Sequence, residues 1–301
     1  MIPDNIRYYE LACLEESMKN KICVVAILKD ELRFVDEWLY YHKLLGIDHF
    51  FLYDDDPLFP LANNLKQHAS YITVVNWYGQ EVLYEGRNTQ TKAYEHALIH
   101  YISEYEWAAF IDGDEFIVLP AWNDNIYTFL EEFEHATAIS LNWHVFGHNG
   151  YFEDPEGLVT SSLIRRMGQP SSNIKSITRT ESISKIDSAH FCRLKFGRRV
   201  DANHKRYNEI MYEGRTDRAF VNHYQCRSFT HWMSRLERGD VSFSNSVSSE
   251  NKWRYDKKLL LKKFVEIIAL DKNEHIDEYM LKFQGSLESL ISSQNEVSSK
   301  Q

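Results

Sequence analysis

The chain has 301 residues, 44% hydrophobic and 26% charged, with a formal net charge of −10 at pH 7. These proportions exclude a disordered or fibrous protein and leave room for one large domain or two small ones. The acidic balance argues against non-specific nucleic-acid binding, and four cysteines without C-x-x-C spacing indicate neither a disulfide framework nor a structural zinc site.

The longest apolar run near the start, Ile22–Leu28, is far too short to cross a bilayer, so a soluble, cytoplasmic chain is expected. Tyr8, Leu11, Leu14 and Met18 recur at helical spacing and predict a packing helix within residues 1–20. Ile22–Leu28 reads as a strand that stops abruptly at Lys29-Asp30-Glu31. Leu32, Val35, Leu39, His42 and Leu45 then share one face of a helix halted by Gly46. His49–Tyr53 predicts the next strand, ending in Asp54-Asp55-Asp56-Pro57. Two β-α-β steps in succession imply a parallel sheet, which puts Lys29, Asp54 and Asp112 along one edge. Leu61–His68 reads as a short helix, Ile72–Trp77 as a third strand and Tyr78–Asn88 as a polar loop.

Thr89–Tyr105 carries the strongest helical pattern, with Ala93, Ala97, Leu98, Tyr101 and Ile102 at spacings of three and four. Arg87, Gln90 and Lys92 gather near its amino end, where unpaired N–H groups and the helix dipole favour an anion. Each taken alone reads equally well as a solvated residue of a first turn.

Trp107–Ile111 has the make-up of a fully buried strand and runs straight into Asp112-Gly113-Asp114-Glu115. Ligands of open α/β sheets bind beyond the carboxyl ends of the strands, so these acids are expected to face a site. Asp112 and Asp114 point the same way if the chain stays extended, offering hard oxygen ligands to Mg²⁺ or Mn²⁺. Gly113, lacking a Cβ, leaves room for a phosphate. A lone D-x-D is more often a solvated turn; the buried strand ahead of it favours the site.

Ile126–Phe133 and Thr137–Trp143 predict a helix and a strand that close an α/β nucleotide-binding sheet. Beyond His144 come short strand candidates at Phe146–Tyr151, Ile174–Thr178, Ser188–Arg193 and Phe220–Tyr224. A helix over Thr230–Arg238 follows, stopped by Gly239. His223 stands where it can reach back to a metal, against the plainer fate of a packed histidine. The basic amphipathic stretch 251–270 either lies on an anionic membrane surface or packs on the body with its lysines in water. The domain reading is one α/β domain over 1–250, a helical extension over 251–283 and a disordered tail over 284–301.

Nine blocks carry a family likeness. They are ILKDE at Ile27–Glu31, EWLYYHKLLGIDHFFLYDDD at Glu37–Asp56, EWAAFIDGDEFI at Glu106–Ile117, LNWHVFG at Leu141–Gly147, PEGLV at Pro155–Val159, IKSI at Ile174–Ile177, AHF at Ala189–Phe191, NHYQCRS at Asn222–Ser228 and RG at Arg238-Gly239. In this order they resemble glycosyltransferase family 92 and its bacterial relatives. The resemblance implies a GT-A fold: a Rossmann-like, mostly parallel sheet flanked by helices, here with a C-terminal helical extension. It also implies a nucleotide-sugar donor, usually UDP-linked, a divalent metal, and inversion at the anomeric carbon; galactosyltransferases are among the family's members. Asp30 stands where relatives commonly have Asn, and Arg227 where they commonly have Lys, which keeps the charge and changes the geometry.

On this resemblance Asp112, Asp114 and His223 are the expected metal ligands, and an imidazole tilts the preference from Mg²⁺ to Mn²⁺. Lys29, Glu31, Asp54, Arg87, Gln90, Asp112, Gly113 and Arg227 are the expected nucleotide-sugar site, with Asp54 accepting from uracil or ribose. The base that takes the acceptor's proton is left open among Glu115, Glu153, Asp154 and Asp201. Trp143 and Phe146 either stack on sugars or belong to the core. The expected acceptor is a glycan or glycolipid of polysaccharide or lipopolysaccharide assembly, met at the inner face of the cytoplasmic membrane. The competing classes are a metal-dependent phosphohydrolase and a non-catalytic nucleotide-sugar or carbohydrate-binding protein of the same fold.

Overall fold

The computed structural model describes residues 21–57, 60–79, 89–206, 214–238, 256–269 and 273–298. The helix expected within 1–20, Arg87 with most of its loop, Gly239 and residues 251–255 of the basic stretch lie outside the described residues. The chain runs β1 (Ile22–Leu28), α1 (Val35–Leu45), β2 (His49–Asp54), α2 (Leu61–Asn64), β3 (Ile72–Asn76), α3 (Thr89–His100), β4 (Trp107–Phe110), β5 (Glu115–Val118), α4 (Ile126–Glu132) and β6 (Ala138–Val145). It continues through α5 (Val159–Ser162), β7 (Arg165–Arg166), β8 (Ser171–Arg179), β9 (Ile183–Ile186), β10 (Cys192–Leu194), β11 (Arg199–Asp201) and β12 (Phe220–His223). It ends with α6 (Phe229–Arg238), α7 (Lys257–Ala269), β13 (His275–Ile276) and α8 (Gln284–Ser298).

Among the described residues nine strands form one sheet in the order β3-β2-β1-β4-β8-β6-β12-β5, with β11 also beside β6. β1 is parallel to β2 and β4, and β2 to β3, as the β-α-β pattern requires. The α/β class and the parallel run are therefore as expected. Departures lie further along: β8 is antiparallel to both β4 and β6, and β5 is antiparallel to β12. The sequence pattern gives no strand between the acidic turn and Ile126, yet β5 occupies Glu115–Val118. Where a strand is expected over Ser188–Arg193, the chain instead makes the β9–β10 hairpin. Phe146–Tyr151 contributes one bridge, Phe146 to Arg166, before Asn149 and Gly150 take positive φ and turn the chain away.

Side chains of β1 alternate between two cores. Val24, Ala26 and Leu28 pack with Trp38 and Leu39 of α1, whereas Cys23, Val25 and Ile27 pack with Ala93, Tyr94 and Ala97 of α3. Register sets Leu28 opposite Asp54, and the Ile111 N–H donates to the Val25 carbonyl at 3.3 Å. The carboxyl ends of β1, β2 and β4 thus surface together. Gly46, at φ 103°, ends α1 as its position predicts.

His42 of α1 is fully buried between Trp38, Tyr41 and Phe116. Its Nε2 accepts from the Ile117 N–H at 3.3 Å, so Nδ1 carries the proton donated to the Trp38 carbonyl at 2.9 Å. Burial lowers its pKa from 6.5 to about 3. The unfolded chain then binds more protons below pH 6.5. His42's contribution is complete above that value and is lost progressively as pH falls toward 3. The expected observation is an imidazole that stays neutral by NMR well below pH 6 while unfolding midpoints decline over the same window.

The tail reading of 284–301 is corrected by α8. Leu287 is fully buried in the core beside α1, and Leu290 and Ile291 pack against it. Phe283, just before the helix, meets Tyr41 at 5.1 Å between ring centroids. Ser, Glu and Gln on the other faces hide the i, i+3, i+4 apolar strip of an ordinary amphipathic helix. Leu287→Ala should lower unfolding free energy by about 2–5 kcal/mol in denaturant titration; a frayed tail would give no change. In α7, Leu260 and Phe264 pack with Trp232, while Lys257, Lys258 and Lys262 are exposed. No helix among the described residues is long and apolar enough to cross a membrane.

Candidate functional site

The turn between β4 and β5 divides its two aspartates. A backbone bond from the Glu115 N–H to the Asp112 carbonyl at 3.1 Å closes the chain into a turn, so the extended geometry that would aim both carboxylates alike is absent. Asp112 faces α3 and β8: it accepts from Gln90 Nε2 at 2.5 Å and Tyr94 Oη at 3.3 Å, and it lies 3.1 Å from Lys175 Nζ. Asp114 faces β12, with Oδ2 at 3.5 Å from His223 Nε2. Two of the three expected metal ligands are therefore neighbours, and the third is held by an ammonium. Among the described residues no three His, Cys, Asp or Glu side chains are gathered as a metal site. The Asp114–His223 pair, an oxygen beside an imidazole, still fits a borderline divalent cation. His223 Nδ1 is buried without a hydrogen-bond partner among the described residues, and so is the Asn222 amide oxygen.

Lys175 is the residue that the sequence reading misses. It projects from the middle of β8, 1% exposed, within 3.1 Å of both Asp112 and Glu115. Burial pushes its pKa down, but the two carboxylates outweigh burial and hold it charged. Glu115, wholly buried, rises to about 7, first through burial and then despite Lys175, because one ammonium serves two acids. Its Oε2 also accepts the Asp112 N–H at 2.8 Å. Glu115 is thus corrected from a base candidate to a support of the turn, sealed from any acceptor.

Gly113 is needed for packing: a Cβ there would lie 2.6 Å from Leu28 Cδ2 and 3.5 Å from Glu31 Cγ. The space that a Cβ would take at Gly113 is occupied by those side chains. Arg227 and Glu31, both expected at the donor site, meet at 2.6 Å, and the guanidinium lies 4.1 Å over the Phe34 ring. Arg227 Nη2 also reaches the Gly113 carbonyl at 3.5 Å, tying the end of β12 to the acidic turn. Lys29 sits 3.4 Å from Asp55, not Asp54. The Asp54 carboxylate accepts the N–H groups of Leu61 and, at 3.1 Å, Asp56, so here it holds its own loop instead of facing a nucleotide.

Trp143 lies in the site, its ring between His223 at 4.2 Å and His190 at 5.1 Å. Burial and then Lys175 push His190 down to about 4, which leaves it neutral. Phe146, 1% exposed against Tyr224, is core and not a sugar platform. Asp201 is buried, and its Oδ1 accepts from the N–H groups of Asn203 and Lys205, a turn-holding role. Exposed Glu153 accepts from Thr230 Oγ1 at 3.1 Å. Asp154 lines a cleft of about 500 Å³ walled by Leu32, Phe34, Thr230 and His231.

Similarity to known proteins agrees with the resemblance carried by the nine sequence blocks. A glycosyltransferase family 92 protein of Oryza sativa subsp. japonica is 27% identical over 186 residues, covering 59% of this chain and 30% of that protein. One from Arabidopsis thaliana is 23% identical over 241 residues, covering 74% and 39%. The chain therefore spans only about a third of the length of the curated relatives it matches. Among solved structures, HddC from Yersinia pseudotuberculosis aligns over 62% of this chain and 92% of its own, with 13% identity and a TM-score of 0.35. Mannosyl-3-phosphoglycerate synthase from Rubrobacter xylanophilus aligns over 57% and 58%, with 15% identity and a TM-score of 0.35. Superpositions this loose bear on neither mechanism nor substrate. The family model for glycosyltransferase family 92 matches residues 21–262, most of the chain and every element of the acidic-turn site, and this protein belongs to that family.

Proposed function

We propose that the chain transfers a sugar, galactose being the first to test, from a UDP-sugar to a hydroxyl of a glycan or glycolipid acceptor with inversion at the anomeric carbon. The observation that carries this reading is the Asp114–His223 pair at the edge where β1, β2 and β4 end. Asp114 and His223 would hold Mn²⁺ or Mg²⁺, with Mn²⁺ preferred for the imidazole. A cation held there would supply positive charge to offset the negative charge of a departing diphosphate.

The chain's own residues do the rest. Arg227 adds a fixed positive charge beside the turn and would exchange Glu31 for a phosphate oxygen. Lys175 keeps Asp112 and Glu115 in place beneath the turn, and Trp143 gives a wall beside His223. Polysaccharide or lipopolysaccharide assembly is the proposed setting, with the exposed lysines of α7 turned to an anionic membrane surface.

The test is a screen of UDP-galactose, UDP-glucose and UDP-N-acetylglucosamine with Mn²⁺, Mg²⁺ or chelator, following UDP release with and without added glycoside. Release that requires metal and rises with a glycoside supports transfer. Metal-dependent release indifferent to every glycoside points to a phosphohydrolase. Binding of UDP-sugar without any release points to a non-catalytic binder.

A further inference from the structure

The cleft beside the acidic turn holds a carboxylate that the donor site does not use. Asp154 arrives on the loop after Tyr151, and among the described residues its hydrogen bond is to one oxygen: Ser228 Oγ donates to Oδ1 at 2.7 Å. Ser228 is itself held at the start of α6, where its Oγ accepts the His231 N–H at 3.0 Å. Oδ2 accepts no hydrogen bond among the described residues. It is flanked by Arg33 Nη1 at 3.7 Å and His231 Nδ1 at 3.8 Å, beyond hydrogen-bond reach. One oxygen is thus anchored while the other is presented to the cleft.

The cleft's volume of about 500 Å³ is within the range of small-ligand sites. Its lining combines the edge of the buried Phe34 ring with Thr230 and Ser234, whose hydroxyls donate to Glu153 and to the His231 carbonyl and keep lone pairs that can accept from a sugar hydroxyl. Phe34 links it to the donor side. The edge of the ring faces His231, at 6.2 Å between centroids, and Arg227 lies over the same ring while touching the Gly113 carbonyl. A sugar in the cleft therefore lies one side chain away from the proposed diphosphate position.

We infer that this cleft receives the acceptor sugar and that Asp154 is the general base. This inference rests on the donor reading above. The acceptor hydroxyl gives its proton to Asp154 Oδ2 as its oxygen bonds to the anomeric carbon. The bond from that carbon to the diphosphate oxygen breaks, and UDP leaves with the electron pair. Arg33 and His231, at 3.7 and 3.8 Å from Oδ2, flank the carboxylate electrostatically.

The experiment compares wild type, Asp154→Asn, Ser228→Ala and Asp114→Asn. UDP release from the three UDP-sugars is followed with Mn²⁺, using water and methyl β-D-glycosides as acceptors, and UDP affinity is measured by calorimetry. Asp154→Asn should slow release by about 10²–10⁴-fold and leave UDP affinity unchanged. Ser228→Ala, which removes only the anchor, should lose much less. Release by Asp154→Asn within a few-fold of wild type would overturn the inference, as would equal losses in Asp154→Asn and Ser228→Ala, the pattern of a mere helix cap. Either result leaves the donor reading standing. A wild type that neither binds nor releases UDP removes the donor reading, and the inference goes with it.

Discussion

Asp114→Asn is expected to reduce Mn²⁺-dependent UDP release by about 10³-fold or more, since the several kcal/mol that a metal supplies to a departing anion is lost with its ligand. Asparagine has nearly the same shape, so folding should survive. The backbone carbonyl of Asp114 accepts the Tyr224 N–H at 2.8 Å regardless of the side chain. What disappears is the negative charge beside His223. The companion His223→Ala should shift the Mn²⁺ titration to higher concentration with a smaller loss at saturation, because water can take the place of an imidazole at a cation but cannot supply a charge. Wild-type release in Asp114→Asn would remove the cation from this pair. An unchanged metal titration in His223→Ala would assign that ring to packing against Trp143.

Legibility of the fold followed how much local pattern each element carries. β1, β2 and β4 are continuous apolar runs, and Gly46 is a stop signal with one mechanical meaning, so each could be placed from residues alone. β5 was illegible because four residues, Glu115–Val118, cannot show a period, and their pairing partner β12 lies a hundred positions away. α8 was illegible for the opposite reason: its polar composition masks a narrow apolar strip whose burial is decided by α1.

At the site, position in sequence located the acids but not their directions. Asp112 and Asp114 look alike in D-x-D, and only the turn reveals that one serves Lys175 and the other faces His223. Asp54 looked like a donor ligand at a strand end and became a loop anchor, because the N–H groups of Asp56 and Leu61 reach it first. Arg227 and Glu31, far apart in sequence, could be named separately; their ion pair is a property of the fold. Lys175 carried no signal beyond its block, since a lysine between Ile174 and Ser176 reads as an ordinary exposed strand residue until the fold sets it opposite Leu141 of β6 and against Asp112 and Glu115.

That burial gives Lys175 the largest expected effect on stability. Lys175→Met keeps the length of the side chain and removes the ammonium that counters Asp112 and Glu115, and breaking a buried pair in this way should cost about 3–5 kcal/mol at neutral pH. The loss has a pH signature. Without Lys175 the Glu115 carboxyl is pushed further up in the folded state than it already is at about 7, so the folded variant binds a proton that the unfolded chain releases. Folded pKa values above the unfolded ones mean stability that is present at low pH and lost as pH rises through them. The variant's deficit in denaturant titrations should therefore be smaller at pH 5 than at pH 8. Adding Glu115→Gln should restore part of what Lys175→Met loses, because it removes one of the two charges left unpaired, and the double-mutant cycle should show coupling of about 1–3 kcal/mol. Equal deficits at both pH values, or strictly additive losses in the cycle, would show that the ammonium only fills space under the acidic turn. In that case Asp112 would owe its direction to Gln90 and Tyr94, and Lys175→Met should leave the metal titration of the Asp114–His223 pair where it is in the wild type.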